Sequence, residues 1–388
     1  MSSARRVVIL GATGSIGVQA LDVVARSHGE LEVVGLSAHS SWEALVAAAR
    51  AAGVPAVALS DPDAAARAAA AWPEGEVLAG AEGVRSLISR LHPDLVLNAI
   101  VGAAGLGPTV VTLAEGIDLA LANKESLVAG GELVVALAQA TGAQILPVDS
   151  EHAALAQLIG PERRSAPGTI ERITITASGG PFRGYSREQL ADVTAEAALR
   201  HPTWSMGAKI TIDSATLLNK GLELIEAHHL FEIPYERIDV LVHPQSIVHG
   251  LITLHDGGVL AHLGCPDMRV PIAFALHHPD RAELPVARLD LAQIGRLDFE
   301  EPDLDAFPAL ALARAAALAG GTAPCVLNAA NEVAVHAFLR GEIGFPAIAA
   351  VIAEALDELG ADPLREFEAL FDVDRAAREL AREAVARA

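Results

Sequence analysis

The sequence predicts an α/β fold in three parts: an N-terminal doubly wound parallel sheet, a central α+β domain and a C-terminal helical bundle. Three observations carry this expectation. Up to about Asp149, short apolar runs alternate with Ala-rich helical stretches. Beyond Asp149 the strand-like segments become β-branched and alternating, as in Arg172-Ile173-Thr174-Ile175-Thr176. From about Pro308 the composition is helical almost throughout, with breaks at Gly320-Gly321 and Gly344-Phe345-Pro346.

The elements follow in order. Val7-Val8-Ile9-Leu10, Val33-Val34-Gly35-Leu36, Ala56-Val57-Ala58-Leu59, Leu95-Val96-Leu97 and Leu119-Ala120-Leu121 read as parallel strands buried on both faces. Ser41–Ala52 and Asp61–Ala71 read as covering helices, and Val18–Ala25 as the helix after the first strand. Gln144–Val148 predicts another strand, with Val240–His243 and Val248–Leu254 further on and a helix over Thr216–Phe231 between them. The expected domains are 1–149, 150–285 with a lid loop near 200–209, a Pro- and Asp-dotted linker at 286–307, and 308–388.

A chain of 388 residues exceeds one ordinary core, and 52% hydrophobic with 20% charged residues is the composition of an ordered globular protein. The formal net charge of −21 argues against nucleic acid or an anionic membrane as partner, because the overall field repels phosphate. Any phosphate-bearing ligand must therefore meet a local cluster of donors. Met1–Arg6 leads straight into the first strand and no long uncharged apolar stretch follows, so no signal segment or membrane span is expected. Two cysteines, Cys265 and Cys325, are too few for a disulfide framework, which fits a reducing, cytoplasmic setting.

Lys124, Lys209 and Lys220 are the only lysines, and Asn98, Asn123, Asn219, Asn328 and Asn331 the only asparagines. Such depletion suggests codon drift away from both residues, leaving them where their chemistry is needed; chance is the competing explanation. The adjacent pairs Asn123-Lys124 and Asn219-Lys220 favour need.

Gly11-Ala12-Thr13-Gly14-Ser15-Ile16-Gly17 follows the first strand and opens a helix. Glycines there permit a tight turn and let backbone N–H groups approach a pyrophosphate, the Rossmann-like arrangement. The second strand ends in His39-Ser40-Ser41, without the Asp or Glu that usually holds an NAD ribose. Small polar residues with a His suit the 2′-phosphate of NADPH, although His39 also fits a solvated loop.

Asp149-Ser150-Glu151 follows an apolar strand. In extended chain Asp149 and Glu151 project to one side and converge on a hard cation such as Mg²⁺ or Mn²⁺, with Glu223 available as a third carboxylate. The alternative is a solvated turn. On a helix Asn219 and Lys220 neighbour Glu223, and Ser214 is expected near that helix's start, so amide, ammonium and hydroxyl donors gather beside a carboxylate. Lys220–Glu223 also reads as a plain surface ion pair. Ser178, in Thr176–Phe182, offers a second phosphate donor. His201, Trp204 and Met206 lie on a Pro- and Gly-bounded loop that suits a lid, or simple packing. Asn123-Lys124-Glu125-Ser126 ends a strand where ligands of open sheets bind.

Together the blocks Gly11–Gly17, Asn123–Ser126, Asp149–His152, Ser178–Phe182, His201–Gly207, Asp213–Glu223, His243–His249 and Asn328–Glu332 resemble the 1-deoxy-D-xylulose 5-phosphate reductoisomerase family, in order and over nearly the whole chain. The resemblance implies a metal- and NADPH-dependent rearrangement and reduction of 1-deoxy-D-xylulose 5-phosphate to 2-C-methyl-D-erythritol 4-phosphate in the non-mevalonate isoprenoid pathway. It implies a homodimer and a need for Mg²⁺, Mn²⁺ or Co²⁺. Asp149, Glu151 and Glu223 would ligate the metal. Ser178, Ser214, Asn219 and Lys220 would hold the phosphate, while Lys124, Ser150 and Glu151 would meet the oxygenated carbons. Lys124, Glu151 and His201 would be the catalytic set, His201 touching substrate from the lid and Trp204 and Met206 covering it. Thr13, Gly14, Ser15, Ile16, Asn123, Glu125 and Gly207 would contact the cofactor, with His39, Ser40 and Ser41 at its 2′ end. The last segment departs from relatives, which often carry Gly-Lys-Asn or Gly-Gly there. Two other readings are a metal-independent NADPH dehydrogenase, which leaves the three carboxylates without a task and lacks a convincing Cys nucleophile, and an NADPH-sensing regulatory protein.

Overall fold

A computed structural model describes residues 4–165, 168–204 and 206–388. Its elements in chain order are β1 (Arg5–Leu10), α1 (Ser15–Ala25), β2 (Leu31–Ala38), α2 (Trp42–Ala52), β3 (Ala56–Leu59), α3 (Pro62–Ala71), β4 (Glu76–Ala79), α4 (Gly80–Leu91), β5 (Leu95–Asn98), α5 (Leu106–Ala114), β6 (Asp118–Leu121), α6 (Lys124–Thr141) and β7 (Ile145–Pro147). There follow α7 (Ser150–Ser165), β8 (Ile170–Ala177), α8 (Arg187–Ala191), α9 (Ala195–Ala198), α10 (Ala208–Ala215), α11 (Leu218–Phe231), β9 (Ile238–Val242), β10 (Val248–Leu254), β11 (Val259–Leu263), α12 (Arg269–His277), α13 (Leu291–Ile294), α14 (Ala309–Ala319), α15 (Ala323–Leu339), α16 (Ala347–Leu359) and α17 (Phe367–Arg387).

The chain forms two compact units, each discontinuous in sequence. One takes the chain up to Ser126 with Val134–Ala153 and Asp267–Val286; the other takes Leu127–Leu133, Ala154–Pro266 and Ala287–Ala388. The first unit holds a wholly parallel sheet in the order β4-β3-β2-β1-β5-β6-β7, the predicted doubly wound class. Its order reverses at β1, so the crevice for a ligand opens beyond the carboxyl ends of β1 and β5. Val7–Leu10 and Leu95–Leu97 are fully buried, which is why their apolar runs do not alternate. Asp61 and Pro62 start α3: the Asp61 carboxylate accepts from the Asp63 and Ala64 N–H groups, and Pro62 lacks the N–H that would go unpaired.

The second unit holds the mixed sheet β11-β10-β8-β9 with helices packed on it. Its core joins Ile173 and Ile175 of β8, Leu222, Leu224 and Ile225 of α11, and apolar residues of α14–α17. The expected C-terminal bundle is present in α14–α17. No helix among the described residues is long and apolar enough to cross a membrane.

Several local expectations are corrected. The first helix begins at Ser15, not Val18, and β4 and β11 were not foreseen, being short and partly exposed. The helix expected over Thr216–Phe231 is α11, which begins only at Leu218; Leu217, with a left-handed φ of +61°, separates it from α10, which ends at Ala215. Ser214 consequently closes α10 rather than opening the next helix. Asp149 and Glu151 do not lie on extended chain: Glu151 is in the first turn of α7, and the Asp149 carboxylate accepts from the backbone N–H groups of Glu151 (3.1 Å) and His152 (3.4 Å).

Candidate active site

In the first unit, Gly11 turns the chain at the end of β1 with φ +77°. A Cβ there would lie 2.6 Å from the Ala99 carbonyl oxygen, and one on Gly17 would lie 2.4 Å from that of Gly11. Only glycine fits either position, so the loop can fold flat against the end of β5. Gly14 caps α1 without a side-chain hydrogen bond, leaving the first N–H groups of α1, at Ser15 and Ile16, available to an anion beside Thr13. His39, Ser40 and Ser41 are exposed at the end of β2, and His39 Nδ1 meets Ser60 Oγ at 2.8 Å.

Sequence reasoning missed the loop after β5. Asn98 and Asn123, both buried, hold it from two sides. Asn98 donates to the Gly105 carbonyl and to Thr109, while its carbonyl oxygen accepts from the Ile100 N–H. Asn123 Nδ2 donates to the carbonyls of Ile100 (2.7 Å) and Gly102 (2.9 Å) and to Glu125 Oε2 (3.0 Å), and its Oδ1 caps α6 at Ser126. The loop they fix presents Val101, 68% exposed, at the switch point. The rarity of asparagine was the available signal.

Beside it, Lys124 Nζ donates to Asp149 Oδ2 at 3.0 Å, and Asp149 Oδ1 lies 2.8 Å from Nδ1 of the fully buried His152. The Ser150 hydroxyl donates to Glu151 Oε2 at 2.5 Å. Lys124, Ser150 and Glu151 thus gather with Asp149 around the start of α7.

In the second unit, α11 is buried on nearly all sides, yet Asn219, Lys220, Glu223 and Glu226 lie on it. Buried polar groups need partners. Asn219 Nδ2 donates to Glu223 Oε1 at 2.5 Å and Lys220 Nζ to Glu223 Oε2 at 2.7 Å, as the predicted spacing requires. The pair is 8% and 1% exposed, which removes the surface ion-pair alternative.

The other expected phosphate donors meet on His201. Its Nε2 lies 3.0 Å from Ser178 Oγ and 3.1 Å from Ser214 Oγ. Its Nδ1 accepts from the backbone N–H of Trp204 at 3.0 Å and of Thr203 at 3.2 Å, so in the neutral ring the proton resides on Nε2. Burial, then the positive charge of Lys220, lowers the His201 pKa to about 4, which keeps the ring neutral near pH 7. With Nε2–H donating to a serine oxygen, both hydroxyl protons can turn towards an anion. Gly180, at φ +67°, lets its loop approach α10: a Cβ there would stand 2.9 Å from the Ser214 carbonyl oxygen. Trp204 is half-buried, its ring 6.2 Å from that of His249, and Met206 is half-buried too. Gly207 ends the expected lid and caps α10; Ser205 lies outside the described residues.

All three lysines and all five asparagines are buried. For lysine, among the least buried of residues, that is a strong departure from the ordinary.

Known proteins resemble this chain over nearly its whole length. Family models match residues 7–131, described as 1-deoxy-D-xylulose 5-phosphate reductoisomerase, 145–231, described as its C-terminal domain, and 263–380, described as the DXP reductoisomerase C-terminal domain. A reductoisomerase of Xanthomonas campestris pv. campestris is 51% identical over 389 residues, covering 99% of this chain and 98% of its own length. One from Chlorobium chlorochromatii is 50% identical over 380 residues, covering 97% and 99%. Among solved structures, the Zymomonas mobilis reductoisomerase in complex with NADPH has a TM-score of 0.91 at 42% identity, covering 98% of this chain and 99% of that one. A DOX-P reductoisomerase in complex with NADPH, fosmidomycin and magnesium has a TM-score of 0.93 at 39% identity, covering 98% of each. The chain belongs to the 1-deoxy-D-xylulose 5-phosphate reductoisomerase family.

Proposed function

We propose that this enzyme converts 1-deoxy-D-xylulose 5-phosphate to 2-C-methyl-D-erythritol 4-phosphate in the non-mevalonate isoprenoid pathway, using NADPH and a divalent cation. The observation that carries the reading is the meeting of Ser178, His201 and Ser214 beside the buried Asn219-Lys220 pair, a cradle for a sugar phosphate in a chain of net charge −21. Only a local cluster of this kind can hold a phosphate against that field.

The dinucleotide would lie with its pyrophosphate on Gly11–Gly17 at the start of α1, contacting Thr13, Gly14, Ser15 and Ile16, with its 2′ end towards His39, Ser40 and Ser41. We assign Asn123, Glu125 and Gly207 to its nicotinamide side. Asp149, Glu151 and Glu223 would share one ion: a carboxylate set of hard oxygens suits Mg²⁺, Mn²⁺ or Co²⁺, and relatives at 38% and 39% identity were solved in complex with magnesium. When bound, the cation supplies Lewis acidity to the substrate's adjacent oxygens and NADPH supplies hydride.

The protein's own groups do the rest. Lys220, Asn219 and the Ser178 and Ser214 hydroxyls bind the phosphate, and that remote binding energy orients the reacting carbons. Neutral His201 donates through Nε2 and holds the two serines in place. Lys124 and the Ser150 hydroxyl act at the oxygenated carbons, where the Lys124 ammonium stabilises developing negative charge. Trp204 and Met206 exclude water as the loop closes. β11, paired with β10 on one side only among the described residues, is a sheet edge exposing Val259 and Leu260, which suits pairing with a second copy in a homodimer.

Incubation with the substrate, NADPH and Mg²⁺ should yield the methylerythritol phosphate, identified by NMR, with one NADPH oxidised per product. Oxidation of NADPH without carbon-skeleton rearrangement would overturn the assignment.

A further inference from the structure

Lys209 and Asn331 belong to the short list of lysines and asparagines that the sequence retains, and the proposed chemistry uses neither. They meet on one carboxylate. Lys209 Nζ lies 2.8 Å from Asp213 Oδ2, one turn along α10, and Asn331 Nδ2 of α15 donates to Asp213 Oδ1 at 2.8 Å. All three side chains are buried, Asn331 fully. The orientation of the Asn331 amide is forced, because its oxygen would be repelled by the carboxylate; that oxygen is buried without a hydrogen-bond partner among the described residues. An unsatisfied buried acceptor is costly and calls for a reason. Burying such an ion pair is likewise a poor source of stability, since apolar residues of similar volume commonly serve as well or better.

The reason lies in what Asp213 precedes. Ser214 is the next residue, and α10 is an eight-residue helix between Gly207, where the loop carrying His201 ends, and the left-handed break at Leu217. A helix this short has little stability of its own, so its rotation about its axis is set by whatever pins it. Turning it would carry Ser214 Oγ away from His201 and drive the Ser214 carbonyl against Gly180, where the approach is already close.

We infer that Asn331, acting through Asp213 and Lys209, is a positioning residue for the phosphate cradle. Helix α15 of the C-terminal bundle thereby takes part in recognising the sugar phosphate although Asn331 does not itself touch it. This rests on the proposed function, in which Ser214 is a phosphate donor.

The test compares Asn331→Ala with the triple replacement Lys209→Met, Asp213→Leu and Asn331→Leu, which substitutes apolar packing for the whole network. Steady-state kinetics, NADPH affinity by fluorescence and thermal midpoint are measured on the full-length enzyme. Expected for Asn331→Ala is a rise of about tenfold in KM for the sugar phosphate, the loss of a hydrogen bond to a charged group, with kcat and NADPH affinity little changed. The triple variant should remain folded and show the same raised KM. A KM unchanged in both variants overturns the inference, as does a normal KM in the triple variant once its thermal midpoint matches the wild type, which would make the network merely structural. Wild-type enzyme that does not convert the sugar phosphate would instead refute the proposed function itself.

Discussion

Lys220 is an ammonium with almost no access to water, and its partner Glu223 is still more deeply buried. Removing one member of such a pair leaves an uncompensated charge, so the two substitutions should differ in kind. Lys220→Ala should raise KM for the phosphorylated substrate on the order of a hundredfold, in line with a charge-assisted contact, while NADPH affinity is retained. An unchanged KM would remove Lys220 from the cradle. Glu223→Gln keeps the shape and a hydrogen-bonding oxygen but loses the charge. Its turnover at limiting Mn²⁺ should fall by at least about a hundredfold, the scale of losing part of a Lewis-acid site. Undiminished activity at limiting Mn²⁺ would sink the ligand assignment. These residues were legible because Lys and Asn are rare in the chain and fall together at these positions. What could not be read was burial: an i,i+3 Lys–Glu spacing is the same on a surface as in a core, and only packing on all sides of α11 distinguishes them.

At the scale of elements, the glycine loop was readable because a strand, a turn and a helix each leave a local pattern. Gly17→Ala would place a Cβ against the Gly11 carbonyl and Ala12. It should weaken NADPH binding by about fivefold or more, the lower end of the cost of overpacking, with the thermal midpoint lowered as well. Wild-type affinity measured by fluorescence titration would show that the loop is not the dinucleotide site. The break at Leu217 was not readable, since nothing in Thr216-Leu217-Leu218 marks a stop and a left-handed leucine is favoured only by its surroundings. That break separates α10, which carries Ser214, from α11, which carries Asn219 and Lys220, so both can serve one cradle. Asp149 was misplaced for a related reason. A carboxylate after a strand looks extended in sequence, whereas its bonds to the Glu151 and His152 N–H groups make it the start of a helix.

For the whole molecule, fold class followed from composition and period, while the route of the chain did not. Both compact units are assembled from separated stretches, and no local signal reports that Asp267–Val286 rejoins the first. The same folded state also makes a pH prediction. Burial, assisted by Lys220 for His201 and by His228 for His229, lowers both histidines from 6.5 to about 4. Below pH 6.5 the unfolded chain binds protons that the folded chain refuses, so stability falls from pH 6.5 down to about 4 and is untouched by these groups above that window. His229→Gln should flatten the decline of the thermal midpoint across that range; an unaltered decline would show that His229 is not a source of it.

On the proposed function, a dinucleotide-binding sheet and an acidic cation site act in one reaction. NADPH oxidation should be followed with 1-deoxy-D-xylulose 5-phosphate present, with and without EDTA, alongside NADPH binding by fluorescence in the same samples. EDTA should abolish oxidation and added Mg²⁺ or Mn²⁺ restore it, with NADPH binding intact throughout. Oxidation that continues unchanged in EDTA would contradict the proposed function.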